Sequence, residues 1–131
     1  MKKWASILFV GIAISSARAG TNGSGDLSPC SNKTLFVEPM EENFGQFIVT
    51  EIMSQKVKLS VTVDVNKAVC LMKGTANVGG RFNAGSASVQ IVTPNGDVIW
   101  SATSGDKDSI KDLAHNLVKQ LKHDLEKKQS Q

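Results

Sequence analysis

The histidines are the first side chains to consider for catalysis or metal binding, and the chain has only two, His115 and His123. Both fall in a segment with helical periodicity, where an eight-residue separation corresponds to about 12 Å along the helix axis. That distance is too long for both rings to ligate one metal ion, and His115 is predicted to lie in solvent. The sequence also lacks GxSxG, HExxH and phosphate- or dinucleotide-binding motifs. We therefore predict no catalytic residue, no metal site and no cofactor, and a protein that is not an enzyme.

The two cysteines, Cys30 and Cys70, are the other residues with distinctive chemistry. Their spacing fits neither a zinc site nor a CxxC redox motif. In an exported protein they could form a disulfide, closing a loop of about 40 residues and contributing roughly 3 to 4 kcal/mol by loop entropy. The alternative is a pair of free thiols, with Cys70 packed in a strand as a small hydrophobic residue. The spacing leaves both alternatives open.

Residues 1–19 have the pattern of a secretory signal peptide. Two lysines precede a short apolar run at residues 7–14, and Ala17-Arg18-Ala19 forms a small-x-small end. The apolar run is too short to span a bilayer, and no second run follows. We expect cleavage after Ala19, export to the periplasm or beyond, and no integral membrane span after cleavage.

The charge balance changes once residues 1–19 are set aside, because they contain three of the fifteen basic residues and none of the twelve acidic ones. The remaining chain carries twelve of each. Without a net positive charge, the electrostatic case for nucleic-acid binding fails, as does a general attraction to anionic membranes. About 112 residues remain, which is enough for one core but too few for two domains.

The strongest structural signal is a β-hairpin over residues 86–104, in which Pro-Asn-Gly-Asp separates two alternating runs. Because Pro94 lacks the N–H that a two-residue turn would need, we predict a four-residue loop at 94–97, with Thr93 facing Val98. The resulting register makes one face of the hairpin apolar and the other mostly polar. The predicted buried face comprises Ala87, Val89, Ile91, Val98, Trp100 and Ala102.

The remaining periodic segments complete one α+β domain over residues 34–128. Since the first two predicted strands are joined through a helix, we expect them to be parallel. An apolar stripe on the last helix matches the apolar side of the hairpin. The order β-α-β-β-β-β-α predicts a two-layer sandwich, with a mixed sheet of about five strands and two helices packed on one face. The predicted elements are strand 34–38, a helix starting at Asn43, strands 57–64 and 68–73, the hairpin, and a helix that Asp106, Asp108 or Ser109 caps.

Two glycine-rich segments are predicted to be irregular. Residues 20–33 combine Gly, Ser, Asn and Pro, which predicts a flexible leader, while 129–131 form a tail. Residues 74–85 are predicted to form a long loop. Arg81 and Phe82 lie in its middle, and an aromatic ring beside a cation on a loop is a candidate partner contact. The alternative is an ordinary connection whose Phe82 folds back onto the core.

Five segments of the chain form a distinctive combination: Glu38-Pro39-Met40, Phe44-Gly45-Gln46-Phe47, residues 67–74, residues 95–100 and the Lys- and Leu-rich final helix. Together they resemble small domains of the bacterial cell envelope. The combination is similar to the amino-terminal domain of TolB and to CsgG-like and related envelope lipoprotein families. The resemblance implies an α/β domain that works through protein contacts and has no catalytic residues, although the chain lacks a good lipidation box.

Two functional hypotheses follow. The first is an exported, non-enzymatic envelope domain that binds an envelope protein, through a sheet edge, the polar sheet face or the Arg81-Phe82 loop, and takes part in envelope assembly. The second is a small periplasmic ligand-binding protein or hydrolase with its site near the Gly-rich loop 74–85. It requires a concave pocket with at least two convergent ionisable groups.

Overall fold

The structure is a computed structural model that describes residues 21–77, 85–107 and 109–129. Its strands form one mixed sheet, in the order Thr21–Gly25, Val98–Lys107, Gly85–Val92, Cys70–Asn77, Thr34–Val37 and Ser60–Val61. Both helices contribute to a single core with the sheet, which confirms the predicted α+β two-layer sandwich with one strand more than expected. The elements are β1 (Thr21–Gly25), β2 (Thr34–Val37), α1 (Phe44–Ser54), β3 (Ser60–Val61), β4 (Cys70–Asn77), β5 (Gly85–Val92), β6 (Val98–Lys107) and α2 (Ile110–Gln129).

The additional strand is β1, and it corrects the prediction of a flexible leader over residues 20–33. β1 pairs antiparallel with β6 along its whole length, and Leu27 and Cys30, which follow it, are fully buried. Composition misled here because the ordering entropy is offset by backbone hydrogen bonds to a distant strand and by two buried anchors, rather than by local apolar content.

The hairpin forms as predicted, but its loop is one residue shorter. The Thr93 N–H donates to the Asp97 carbonyl at 2.9 Å, and the Gly96 N–H donates to the Thr93 carbonyl at 2.8 Å. Gly96 has a φ of 94°, the left-handed geometry that follows a type I turn in three-residue hairpin loops. The loop is therefore 94–96, and Thr93 faces Asp97 rather than Val98.

The shorter loop shifts the register at the end of the hairpin. Ile91 pairs with Trp100 as predicted, but an irregularity follows and Val92 pairs with Val98. Val98 is consequently 54% exposed, so its predicted burial is wrong. Val92, which pairs with Leu71 on the side of the sheet opposite Ile91, is buried.

The predicted strand over residues 57–64 is reduced to β3, the two-residue edge of the sheet. β3 runs parallel to β2, which confirms the expected direction. Beyond it the chain turns toward β4, and the Asp64 side chain accepts a hydrogen bond from the Asn66 N–H at 3.0 Å. Val63 is 94% exposed, because the turn ends the alternation before this residue.

Both helices begin close to their predicted starts and bury their apolar stripes. Ser109 caps α2, since its Oγ accepts from the Asp112 N–H at 3.1 Å. Asn43 precedes α1 in a left-handed conformation, without a side-chain capping bond. The two helices therefore cover one face of the sheet and leave the other uncovered by any described element. The buried residues of α2 are Leu113, Ala114, Leu117, Val118, Leu121 and Leu125.

Candidate functional site

The candidate disulfide is present in the structure. Cys30 and Cys70 are bonded, with their Cα atoms 6.0 Å apart, and both are fully buried in the core. The bond ties the turn after β1 to the first residue of β4, so its role is structural. Arg81 and Phe82, the candidate partner contact, lie outside the described residues, as do the predicted signal peptide and the end of the tail.

The described ranges contain neither a group of metal-ligating side chains nor a helix suited to crossing a membrane. Within residues 21–77, 85–107 and 109–129, no group of three His, Cys, Asp or Glu side chains could hold a metal ion. No helix in these ranges is long and apolar enough to cross a membrane. The candidate sites are therefore the uncovered face of the sheet and the outer surface of the helices.

On the helix-covered face of the sheet, the side chains are large at one end and become smaller toward the other. At the end with the large side chains, Trp100 is fully buried, and its Nε1 donates to Asp124 Oδ2 at 2.8 Å. Gln120 Nε2 donates to the other oxygen of Asp124 at 3.0 Å. A β-carbon on Gly23 would lie 2.8 Å from Gln120 Cγ, so glycine lets α2 approach β1. The rows of paired residues are Val37, Met72, Ile91, Trp100 and Gly25; Gly74, Val89, Ala102 and Gly23; and Ala76, Ala87, Ser104 and Thr21.

The other face of the same strands carries polar side chains, most of them short, in two complete rows. Their members pair across β4, β5, β6 and β1, so they form a continuous surface. All but Ser101 are exposed, and Lys73 is the only charged residue among them. We call these eight residues the open face: Lys73, Gln90, Ser101 and Ser24 in one row, and Thr75, Ser88, Thr103 and Asn22 in the other.

An apolar row borders the open face on the side of the hairpin loop. Phe36 of β2 pairs with Leu71 of β4, and Leu71 pairs with Val92 of β5. Phe36 and Leu71 are half-buried, and Val92 is buried. The uncovered side of the sheet thus combines a polar surface with an adjoining apolar strip.

On the helix side, His115 is not simply solvated as predicted. Its ring is 53% exposed, but Nδ1 lies 3.0 Å from Oε1 of Glu51 on α1, close enough to donate a hydrogen bond to the carboxylate. Gln55 Nε2 donates to the same Glu51 oxygen at 2.9 Å and to the His115 backbone carbonyl at 3.1 Å. These three side chains join α1 to α2.

The Glu51 carboxylate is stabilised in its charged form by this arrangement. Burial acts to raise the pKa of Glu51, because its side chain is only 12% exposed. The hydrogen bonds from Gln55 and His115, and the positive charges of His115 and Lys111, outweigh burial and lower the pKa of Glu51 below its usual 4.5. The negative charge of Glu51 therefore offsets the positive charge where α1 contacts the amino-terminal half of α2.

The seam between the helices widens beyond this cluster into an open groove of about 560 Å³. Its described lining residues include three lysines and two histidines against one carboxylate, so together they carry two net positive charges when the histidines are neutral. Within the described part of the chain, none of the three lysines is in an ion pair. We call it the basic groove; its lining residues are Ser54, Gln55, Lys56, His115, Lys119, Lys122, His123 and Glu126.

Lys56 reaches the basic groove through an unusual backbone conformation. The Val57 N–H donates to the Ile52 carbonyl at 3.1 Å and the Lys56 N–H to the Met53 carbonyl at 3.3 Å, which is the Schellman pattern at the end of α1. Lys56 occupies the left-handed position with a φ of 57°, where glycine is usual. The Schellman motif thus brings a lysine to the mouth of the groove.

The basic groove was missed by sequence reasoning, although two signals for it exist. His115, Lys119 and Lys122 recur at helical spacing, which puts them on one side of α2. Lys56 stands where a helix would commonly end on glycine. Neither signal shows that the two sets meet, because their contact depends on how α1 packs against α2.

These features define an α+β domain with one open sheet face and a disulfide-linked core. No protein-family model and no curated protein sequence matches the chain. Among solved structures, a DUF4136 family protein from Bacteroides thetaiotaomicron matches with a TM-score of 0.48 and 8% identity, over 84% of this chain and 93% of that one. That identity says nothing about function, and the comparisons do not show the resemblance to TolB or to CsgG-like families.

Proposed function

We propose that the protein is an exported, non-enzymatic domain of the cell envelope that acts by binding another protein through the open face. The observation that carries the proposal is the division of the sheet into two sides. One side buries the core under both helices, while the other presents eight polar side chains, six of them short, that no described element covers. An expanse of paired strands with this composition is a surface available for docking.

The chemistry of the open face favours a protein partner. Charged residues are depleted at the centres of protein interfaces, and this surface has Lys73 as its only charge. Short hydroxyl and amide side chains lose little rotamer entropy when a partner immobilises them, and they can both donate and accept hydrogen bonds. The adjoining row that contains Phe36 and Leu71 supplies apolar area that a partner would bury.

Export is supported by two separate features of the chain. Residues 1–19 have the composition of a signal peptide, and the Cys30–Cys70 bond is a cross-link that persists in oxidising compartments such as the periplasm. A role in envelope assembly, as in the TolB-like and CsgG-like domains that the sequence resembles, would fit this location. The Arg81-Phe82 pair stays a second candidate contact.

The alternative, a ligand-binding or hydrolytic site near residues 74–85, has less support. A hollow of about 340 Å³ lies beside the described ends of this segment. Glu41 is the only ionisable side chain among its described lining residues, and its Oε1 accepts a hydrogen bond from the Ala76 N–H at 3.2 Å. A hydrolase would need a second ionisable group converging on the same point.

Site-specific cross-linking in the source cells tests the proposal. A photoreactive amino acid is placed at Thr103 on the open face and, in a matched control, at Lys127 on the outer surface of α2. We expect a discrete cross-linked protein with the probe at Thr103 and none with the probe at Lys127. Cross-links of equal yield at both positions, or none at Thr103, would contradict binding through the open face.

A further inference from the structure

The basic groove lies on the helix side of the domain, away from the open face, and the proposed function does not use it. We propose that it is a binding site for a phosphate-bearing anion, held by Lys56, Lys119 and Lys122. This site would operate independently of the protein contact at the open face.

The first argument is the uncompensated charge. Lys56, Lys119 and Lys122 converge on one groove, and Glu126 has the only carboxylate among its described lining residues. The nearby Glu51 is already engaged by His115 and Gln55. Like charges gathered at one place repel each other, and the repulsion is relieved when an anion binds among them.

The second argument is the backbone of Lys56. A residue with a β-carbon is disfavoured in the left-handed region, and glycine would end α1 with less strain. Strained residues that persist in a fold cluster at binding sites. Here the strained position projects a lysine from the carboxy-terminal end of α1 toward the lysines of α2, so the three cations come from two different elements.

The third argument concerns which anion fits. Three of the described residues that line the groove are lysines, and lysine binds phosphate as a compact charge with rotatable donors. A phosphate monoester carries about −1.5 to −2 charges at neutral pH, which matches the two net positive charges of the groove. The His123 ring adds a further N–H donor at its wall.

The phosphate could belong to a small soluble molecule or to the headgroup of a lipid. The groove is open to solvent along one side, so either source can reach the lysines. The shared chemistry is the phosphate itself, and the experiment has separate arms for the two sources.

The soluble arm is a titration of the purified protein with tripolyphosphate at constant ionic strength, followed by amide chemical shifts in NMR spectra. We expect the shifts to concentrate at Lys56 and along the Lys119–His123 turn. Replacing Lys119 or Lys122 by glutamine should weaken binding roughly five- to tenfold, the effect of losing a charge-assisted hydrogen bond at an exposed site. The matched control is Lys33→Gln, which removes an exposed lysine outside the groove and should leave the affinity unchanged.

Lys56→Gly separates binding from folding. Glycine relieves the left-handed strain, so the variant should unfold at a higher temperature than the parent, yet bind tripolyphosphate at least about fivefold more weakly. A folded, stabilised variant that has lost affinity cannot be explained by damage to the fold.

The lipid arm measures co-sedimentation with phosphatidylglycerol vesicles and with neutral phosphatidylcholine vesicles. Binding to phosphatidylglycerol vesicles but not to phosphatidylcholine vesicles, if it is lost in Lys119→Gln, identifies a lipid phosphate as the ligand. Binding of tripolyphosphate without binding to either kind of vesicle identifies a soluble ligand. Either result supports the site. The proposal is overturned if neither probe binds, if Lys33→Gln weakens binding as much as Lys119→Gln does, or if citrate or a polyglutamate peptide binds as tightly as tripolyphosphate. None of these results depends on whether Thr103 cross-links a protein.

Discussion

The two faces of the sheet are built from alternate residues of the same strands, yet they differ in almost every property. On the covered face, Trp100 and its neighbours fill the space beneath α2 and taper to small residues where the helix approaches β1. On the open face, Gln90 and Ser101 flank the same Trp100 pairing and remain in contact with solvent. Since neighbouring residues in a strand point to opposite sides, stability and recognition can be assigned to separate residues within one β-strand.

The comparison predicts that changes on the covered side lower stability, whereas changes on the open side alter binding. The disulfide belongs to the covered side, because both of its cysteines are buried in the core. Replacing Cys30 and Cys70 together by serine should cost about 4 kcal/mol of unfolding free energy, the loop-entropy value for 40 residues. Urea denaturation of both proteins measures it. A loss below about 1 kcal/mol would mean that the bond does not support the fold.

A matched pair of substitutions compares the faces directly. Leu117 of α2 is fully buried against the sheet, so Leu117→Ala should cost about 3 kcal/mol through lost burial and the cavity it leaves. Thr103→Ala, on the open face, should change the unfolding free energy by no more than about 0.5 kcal/mol. Chemical denaturation of the two variants checks both values. Equal losses would show that another part of the protein also covers the open face.

The polar anchor of the covered face should have an intermediate effect. Trp100→Phe keeps most of the buried ring but removes the N–H that donates to Asp124, which should cost about 2 kcal/mol because the acceptor is charged. Asp124→Asn retains an acceptor oxygen and should cost less. The same denaturation experiment compares the unfolding free energies of the two variants. A larger loss in Asp124→Asn than in Trp100→Phe would show that the hydrogen bond from Trp100 is not the main source of the stabilisation.

The smallest effect is expected at the seam of the helices, and it depends on pH. Because the pKa of Glu51 is lowered in the folded protein, its charged form adds stability at pH values above the usual 4.5 of a free glutamate. This contribution disappears as the pH falls through the lowered value. The stability advantage of the parent over Glu51→Gln should therefore shrink as the pH falls below about 4.5.

Thermal unfolding of the parent and Glu51→Gln between about pH 5 and pH 3 tests this prediction. A difference that grows toward acid pH would reverse the sign of the linkage. Gln55→Ala is a useful second variant, because it removes one hydrogen bond to Glu51 while keeping the carboxylate.

Elements that depend on local signals were predictable from the sequence, and those that depend on distant partners were not. The hairpin follows from Asn95-Gly96 between two alternating runs, and α2 from its apolar spacing. β1 was missed because its pairing strand is far along the chain: Thr21 and Ser104, 83 residues apart, share a hydrogen bond. The Gly, Ser and Asn residues of this segment give no indication that a distant strand will be available to pair with it.

The candidate sites divide in the same way. The polar side of the hairpin was predicted from alternation, so half of the open face could be read directly. The basic groove could not, because Glu51 and His115 are 64 residues apart and meet only through the packing of α1 on α2. The register shift at Val98 shows a limit of predicting a hairpin from its sequence, because a difference of one residue in loop length decides which side chain is exposed.

The most direct test of the division between the faces is partner capture by the Ser88→Arg variant. Ser88 lies at the centre of the open face, and its exposed side chain leaves room for arginine without disturbing the core. With the photoreactive probe at Thr103, we expect the cross-linked product to be lost in Ser88→Arg and retained in Lys127→Gln. A Ser88→Arg protein that captures its partner as well as the parent would show that recognition takes place elsewhere on the molecule.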